Sequence, residues 1–434
     1  MVRLSLYTFL FTEDAHYYIY NSETNYFSEV GEGLFECLYD KDWDRIPKEI
    51  KGELLGKRIL VEEEDYYNCF NETRLKFFAR MFNPAVLNLV LAPTTDCNFS
   101  CPYCFEPKKN PKYMTDEVIE DVCDFMLNHK NAKELNLTWY GGEPLLAIKQ
   151  IEALLARFAT FENLRLTGHS LITNGFLLSE NVLNLFKSYP LSSVQITLDG
   201  VKSRHNTTRC LKDLKTPTFD FIYDNILKAV NAWPHTHISI RVNIDRNTKD
   251  DYLKLRQQLL SDVGKAENIS IYPGLIRQET KDACSLCFSS YTTRDIQTLY
   301  QYYKNAGADI NSFPTKKGKG CMINGLNSYI VGPEGEIYKC WNDVSDPNKV
   351  VGNIRESEMA NNSLFLRYMN DIMPFDDKCR NCKVFPICDG GCALHRYKNL
   401  FQGGNFELCT SFKDEKILRQ ALLTGCITQN GGIC

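Results

Sequence analysis

Three cysteines fall within eight residues, in the run Cys97-Asn98-Phe99-Ser100-Cys101-Pro102-Tyr103-Cys104. No other feature limits this chain so strongly, because a loop with three thiolates at that spacing must close around something. Three such thiolates can hold three corners of a cubane 4Fe–4S cluster. With no fourth cysteine nearby, one iron stays open to a ligand that chelates through amino and carboxylate groups. A structural zinc site wants four ligands in a closed tetrahedron. Ferredoxin runs are spaced differently. A gap of three residues followed by a gap of two fits neither.

The other cysteines carry the same message. There are 18 in 434 residues, and a chain of this length buries too large a core to need disulfide staples. In a reducing compartment, clustered cysteines are metal ligands or catalysts first. A net charge of only −4 gives no field for nucleic acid or a membrane surface, and no stretch approaches the apolar length of a membrane span. The opening MVRLSLYTFLF lacks the basic start and small-residue cleavage site of a signal peptide, so a cytoplasmic protein is expected.

Along the chain, residues 1–85 read as a small α+β module. Strands are expected from Leu4 to Phe11, His16 to Asn21 and Asn25 to Ser28, with a helix around Leu34 to Leu38. Over 86–290 the pattern changes to alternating strands and amphipathic helices. Strands are expected at Val86–Leu91, Leu135–Tyr140, His169–Thr173, Val194–Leu198, Ile238–Ile244 and Ile269–Tyr272. Helical spacing links Val118, Val122, Phe125 and Met126, then Ile148, Ile151, Leu154, Leu155 and Phe158. Ser179–Tyr189 (with Ser179 as N-cap), Phe219–Trp233 and Lys249–Leu260 complete the helices. Six strand–helix units in succession predict an α/β fold, a partial (β/α)6 barrel of TIM type, with chemistry at the C-terminal ends of its strands. After a bridging stretch, 291–320, the segment 321–412 is dense in Cys and Gly with short hairpins, as in a fold built around metals. Residues 413–434 read as a C-terminal helix and tail.

The order of motifs on these strands resembles the radical S-adenosylmethionine (SAM) superfamily. Gly141-Gly142-Glu143-Pro144 follows the second strand, where that family binds the SAM amino group. Two glycines let backbone approach a ligand, and a carboxylate pairs with an ammonium. Asn174 ends the third strand. Thr197 and Asp199 end the fourth, where they would meet the ribose. Arg209 stands where relatives carry an arginine for the SAM carboxylate, and Asn243 on the fifth strand is a further candidate for SAM contact. Tyr103 resembles the family's aromatic against the adenine. His205-Asn206 departs from the usual His-Asp. The resemblance places the SAM-binding cluster on Cys97, Cys101 and Cys104.

The C-terminal cysteines resemble the seven-cysteine SPASM extension of the same superfamily. By that resemblance Cys321, Cys340 and Cys392 hold one auxiliary 4Fe–4S cluster, and Cys379, Cys382, Cys388 and Cys409 hold a second, making three clusters in all. A pair of structural zinc sites is the other reading of these cysteines taken alone. Cys284, Cys287 or a substrate thiolate would complete the first auxiliary cluster. Cys37, Cys69, Cys123 and Cys210 read as packed thiols, and Cys426 and Cys434 as incidental.

The resemblance implies an oxidoreductase in which SAM yields a 5′-deoxyadenosyl radical that abstracts a substrate hydrogen, with auxiliary clusters taking up a released electron. SPASM enzymes act on peptides, and the N-terminal module looks like the winged-helix element by which ribosomal-peptide maturases hold a leader peptide as an edge strand; a plain barrel cap is the alternative. A crosslinking maturase (thioether or carbon–carbon) is therefore expected, served by a flavodoxin or ferredoxin. Sulfatase maturation, oxidising Cys or Ser to formylglycine, is the runner-up. Those relatives put Asp after the hairpin cysteine, whereas Trp341 follows Cys340 here and the nearest acid is Asp343. Peptide epimerisation and a catalytically dead scaffold complete the alternatives.

Overall fold

The computed structural model describes residues 1–104, 111–213, 216–276, 295–356 and 362–430. The chain gathers into two compact units. Met1–Met81, Thr292–Asn324 and Asn370–Cys434 form the first, Phe82–Tyr291 and Gly325–Met369 the second.

In the first unit, β1 (Val2–Leu4) pairs with β5 (Leu60–Glu62), while β2 (Thr8–Glu13), β3 (His16–Asn21) and β4 (Tyr26–Val30) make an antiparallel meander. The expected strand from Leu4 to Phe11 is thus two strands, divided by a turn in which the Thr8 N–H donates to the Ser5 carbonyl. Alternation along the meander gives it two apolar faces. Ile19 turns to Cys37, Leu38 and Leu54 of α1 (Glu32–Tyr39) and α2 (Lys48–Gly56). Phe9, Phe11, Tyr20 and Phe27 turn the other way and meet Val384, Ile387, Phe412 and Leu418 from the C-terminal part of the chain. Helices α3 (Asn68–Met81), α10 (Asp295–Asn305), α12 (Ala393–Phe401) and α13 (Glu415–Asn430) belong to this unit.

In the second unit, β6 (Val86–Leu91), β7 (Glu134–Trp139), β8 (Arg165–Thr173), β9 (Ser193–Leu198), β10 (His237–Ile244) and β11 (Ile269–Leu275) pair in chain order, all parallel. This is the expected six-stranded partial barrel. Helices α4 (Asp116–Asn128), α5 (Ile148–Phe158), α6 (Glu180–Ser188), α7 (Lys202–Thr208), α8 (Phe219–Ala232) and α9 (Lys249–Val263) connect the strands. Ser179 occupies the N-cap of α6, but its side chain makes no capping bond. One face of the sheet is apolar and buried, with Leu87, Leu89, Leu137, Ile196 and Ile240 upon it. The other face is polar and stitched across strands. Asn136 donates to Asn88 at 2.9 Å, and Tyr272 donates to Gln195 at 2.7 Å. A packed barrel core would be apolar there; a polar face suits a polar ligand.

Three further strands extend this sheet. β12 (Ser328–Val331) lies parallel to β6, and β13 (Glu336–Tyr338) and β14 (Gly352–Asn353) continue antiparallel. β12 and β13 form a hairpin whose first strand is part of the barrel sheet. Helix α11 (Ser363–Asn370) follows. Among the described residues, no helix is long and apolar enough to cross a membrane.

Candidate functional site

The Cys97–Cys104 loop leaves the C-terminal end of β6 and is tied down on both flanks. The Cys97 N–H and the Lys212 ammonium donate to Asp96 Oδ1 at 2.9 and 2.6 Å, and the Tyr113 hydroxyl donates to Oδ2 at 2.9 Å. Burial works against the Asp96 charge, but Lys212 and Tyr113 outweigh it and hold the carboxyl below its usual range. The Ser100 N–H donates to the Cys210 carbonyl and the Lys212 N–H to that of Asn98, a short strip of strand-like pairing. Asp96 and Lys212 escaped the sequence reading, although an Asp directly before the first cysteine was a usable signal.

The glycines after β7 serve this loop. A Cβ on Gly142 would stand 2.1 Å from the Asp96 carbonyl oxygen. One on Gly141, whose φ is +116°, would stand 2.4 Å from that of Thr94. The backbone that takes up this space is that of the cluster loop.

Glu143 is fully buried. One carboxylate oxygen accepts from the Thr173 hydroxyl at 2.7 Å and the Leu145 N–H at 3.1 Å; the other accepts from the Asn174 N–H at 2.7 Å. The residue therefore straps the end of β7 to the end of β8. Where the sequence suggested an ammonium partner, both oxygens accept from the protein. Pro144 opens the short turn Pro144–Ala147 at the position where its missing N–H does no harm. Asn174 donates onward to Asn98 at 2.7 Å, joining β8 to the cluster loop.

Tyr103, Asp199, Arg209 and Asn243 converge from four parts of the chain. The Tyr103 hydroxyl lies 2.6 and 2.7 Å from the two Asp199 oxygens and accepts from Arg209 at 3.1 Å and Asn243 at 3.2 Å. Thr208, which sequence reading missed, donates to Asp199 at 2.7 Å. Burial disfavours the Arg209 charge, but Tyr103, Cys101 and Asp199 beside it push its pKa higher still. Thr197 lies two residues before Asp199 on β9, in register with Arg241. Two buried donors in this region lack a protein partner, Arg209 Nε and Asn98 Nδ2. Unsatisfied buried donors ask for acceptors, and SAM offers carboxylate and ribose oxygens. Burial drives the Cys101 thiol up to about 12, with Asp199, Cys104 and Cys97 adding to the rise and Arg209 opposing it. Binding metal would release the Cys101 proton, which the neighbouring cysteines help to hold. Cys97, Cys101 and Cys104 would hold a cluster there, which with SAM would supply reductive cleavage and a carbon radical.

His205 and Asn206 prove to be architectural. His205 Nδ1 accepts from the Asp199 N–H, and Nε2 lies 3.1 Å from a Thr218 hydroxyl that itself donates to the Arg209 carbonyl. The ring is thus neutral with its proton on Nε2, and burial and Arg209 drop its pKa to about 2. The Asn206 side-chain oxygen accepts from the Thr218 and Phe219 N–H groups at the start of α8, both at 3.0 Å. An Asp would make the same bonds, so this departure from the family pattern keeps its geometry.

His169 is a second neutral ring. It accepts from Trp139 at 2.8 Å, and burial lowers its pKa to about 4. Both rings have folded pKa values below the unfolded one, so they favour the fold fully above pH 6.5 and lose that contribution as pH falls through it. Each should cost about 1.4 kcal/mol of stability between pH 7.5 and 5.5. Urea unfolding at the two pH values should reveal the loss, and His169→Gln should shrink it by about half.

In the first unit, Cys379, Cys382, Cys388 and Cys409 line one cavity of about 270 Å³, together with Phe385, Gly390, Arg396 and Thr410. Backbone N–H groups already point at two of the sulfurs, Asp376 to Cys379 at 3.4 Å and Gly390 to Cys388 at 3.3 Å. Gly390 and Gly391 hold φ of +88° and +77°, and a Cβ on either would strike Pro374 or the Leu408 carbonyl. Among the described residues no three metal-binding side chains close around a single ion; a cubane spreads its ligands over four irons and needs a wider array. The residues of this cavity fit a cubane. Cys321 and Cys392 are exposed in the first unit, and Cys340 is half-buried two residues past β13 in the second. Cys284, Cys287 and Cys434 lie outside the described residues. Cys37 and Cys123 are buried and Cys69 and Cys210 half-buried.

Comparison with known proteins agrees with this geometry. Residues 91–259 match the Radical SAM superfamily. The cysteine-type anaerobic sulfatase-maturating enzyme of Clostridium perfringens (strain 13 / Type A) is 26% identical over 367 residues, 76% of this chain and 95% of that one. The radical SAM cyclopropyl synthase TigE of Paramaledivibacter caminithermalis is 23% identical over 343 residues, 70% of this chain and 66% of that one. Among solved structures, native anSMEcpe with bound AdoMet and Kp18Cys peptide superposes with a TM-score of 0.61 at 22% identity, over 78% of this chain and 97% of its own. SuiB of Streptococcus suis, bound to precursor peptide SuiA, gives 0.51 at 15% identity over 93% and 97%. Residues 91–259 are therefore a radical SAM domain, which makes this chain an enzyme and implies SAM and a 4Fe–4S cluster as cofactors.

Proposed function

We propose that this enzyme is a peptide maturase that installs an intramolecular crosslink, thioether or carbon–carbon, in a ribosomally made precursor. The β2–β3–β4 meander carries the reading. Among the described residues β4 pairs with β3 alone, so its outer edge is free to accept a leader peptide as a fourth strand. The likeness to SuiB extends over 93% of the chain and supports a precursor peptide as substrate; the cyclopropyl synthase activity of TigE supports bond formation.

Three cubanes would serve the reaction, on Cys97, Cys101 and Cys104, on Cys321, Cys340 and Cys392, and on Cys379, Cys382, Cys388 and Cys409. Tyr103, Gly141, Gly142, Glu143, Pro144, Asn174, Thr197, Asp199, Arg209 and Asn243 would hold or brace SAM. Crosslinking removes two hydrogens from the peptide. One leaves as an atom to the deoxyadenosyl group; the other leaves as a proton to a base and an electron to an auxiliary cluster. A flavodoxin or ferredoxin in the cytoplasm would supply the priming electron.

Formylglycine formation is the second reading, favoured by 26% identity to a sulfatase-maturating enzyme. Against it, the acid nearest Cys340 is engaged: Asp343 is buried and accepts from the Tyr368 hydroxyl at 2.8 Å. Trp341 instead packs edge-on against Tyr140, 4.9 Å between ring centres, beside the Gly141–Pro144 turn.

Coexpression with each small open reading frame near the gene, followed by tandem mass spectrometry, tests the proposal. A peptide that has lost two hydrogens, carries no aldehyde and resists fragmentation between two residues is expected. An aldehyde on a Cys or Ser, or a change of configuration at unchanged mass, would replace it with the corresponding alternative.

A further inference from the structure

Arg396, on α12, is 5% exposed and lines the four-cysteine cavity. One terminal nitrogen donates to Asp376 Oδ1 at 2.6 Å and the other to the Gly390 carbonyl at 2.9 Å. Asp376 and Gly390 are the two residues whose backbone N–H groups point at the Cys379 and Cys388 sulfurs. A single guanidinium therefore clamps both N–H···S donors. Its Nε–H is buried and has no protein partner. Lys319 is also buried nearby, but its ammonium is spent on the Phe385 and Cys388 carbonyls and it does not line the cavity.

The reduction potential of an iron–sulfur cluster rises with hydrogen bonds to its sulfurs and with positive charge beside it, because reduction adds a negative charge. Lys413 brings an ammonium 3.7 Å from the Cys409 sulfur; Arg396 adds a buried charge, fixes two donors and holds a third in reserve. We infer that Arg396 raises the reduction potential of the cluster on Cys379, Cys382, Cys388 and Cys409, making that cluster the favoured acceptor of the one electron released when the substrate bond forms. The inference rests on that ligand set.

The test uses the full chain with Cys97, Cys101 and Cys104 changed to Ala, so that only auxiliary clusters contribute, and follows iron content and redox titration by electron paramagnetic resonance. Arg396→Gln should lower the midpoint of one cluster signal. At fixed potential the reduced-to-oxidised ratio should drop at least tenfold, which is 59 mV for one electron. Arg396→Lys keeps the charge but loses the clamp, and should fall between. Unchanged midpoints in both variants with iron retained would overturn the inference and leave the ligand set standing. Should Arg396→Gln fail to hold iron, the lysine variant decides: a midpoint equal to the parent's overturns the inference. Cys388→Ala with Cys409→Ala checks the ligand set separately: it must remove the same signal and its iron, and retention of both would overturn the set itself.

Discussion

Gly142→Ala is expected to lose the SAM-binding cluster while the four-cysteine cavity keeps its iron. The new methyl group would stand 2.1 Å from the Asp96 carbonyl oxygen and 2.5 Å from its carbon. Both are backbone atoms, in a loop already pinned by Lys212 and Tyr113. Side chains can rotate away from such an intrusion; pinned backbone must be displaced. The displaced residue directly precedes Cys97, so one corner of the cluster moves with it. Forced overpacking of this kind costs about 1–3 kcal/mol or more, and iron analysis with a SAM-cleavage assay under dithionite would read it. Full iron with normal cleavage would show that the loop yields, and its close approach would then no longer account for two adjacent glycines.

Glu143→Gln should weaken SAM binding at least tenfold, about 1.4 kcal/mol, and destabilise the second unit by about 2 kcal/mol. The amide keeps the volume but turns one acceptor oxygen into a donor. It would then face either the Asn174 N–H or the Thr173 and Leu145 donors, and leave at least one buried donor unsatisfied. The ends of β7 and β8 would part, and Asn174, which reaches to Asn98 in the cluster loop, would shift with them. Glu143→Asp should do no better, since a chain one methylene shorter cannot reach β8 from the same backbone. Titration calorimetry with SAM and thermal unfolding separate the two effects. Unchanged SAM affinity alongside lowered stability would reduce Glu143 to a purely structural strap.

Much of this protein was legible in one dimension. Period-two and period-3.6 patterns located all six barrel strands, and the three-cysteine loop and Gly141–Pro144 lie where those strands end. The resemblance to the SPASM extension grouped the four cysteines that line one cavity. These features are local: a strand, a turn or a ligand loop is written in residues a few positions apart. What each polar residue does was less legible, because partners lie far away in sequence. Glu143 is read as a ligand group from its turn alone; that it also straps β7 to β8 needs Thr173 and Asn174 beside it.

The sequence by itself determined the fold class and the places of the barrel strands, because periodicity is short-range. Only the tertiary structure decided that β12 joins the barrel sheet beside β6, that the N-terminal meander buries its aromatic face on Val384, Ile387 and Phe412, and that the Ser22 hydroxyl reaches the carbonyl of Lys383, 361 residues on. It also decided that Arg396 spans Asp376 and Gly390, whose N–H groups point at two cavity cysteines. Such contacts follow from burying apolar area and satisfying buried polar groups over the whole chain at once, and no window of neighbouring residues contains them.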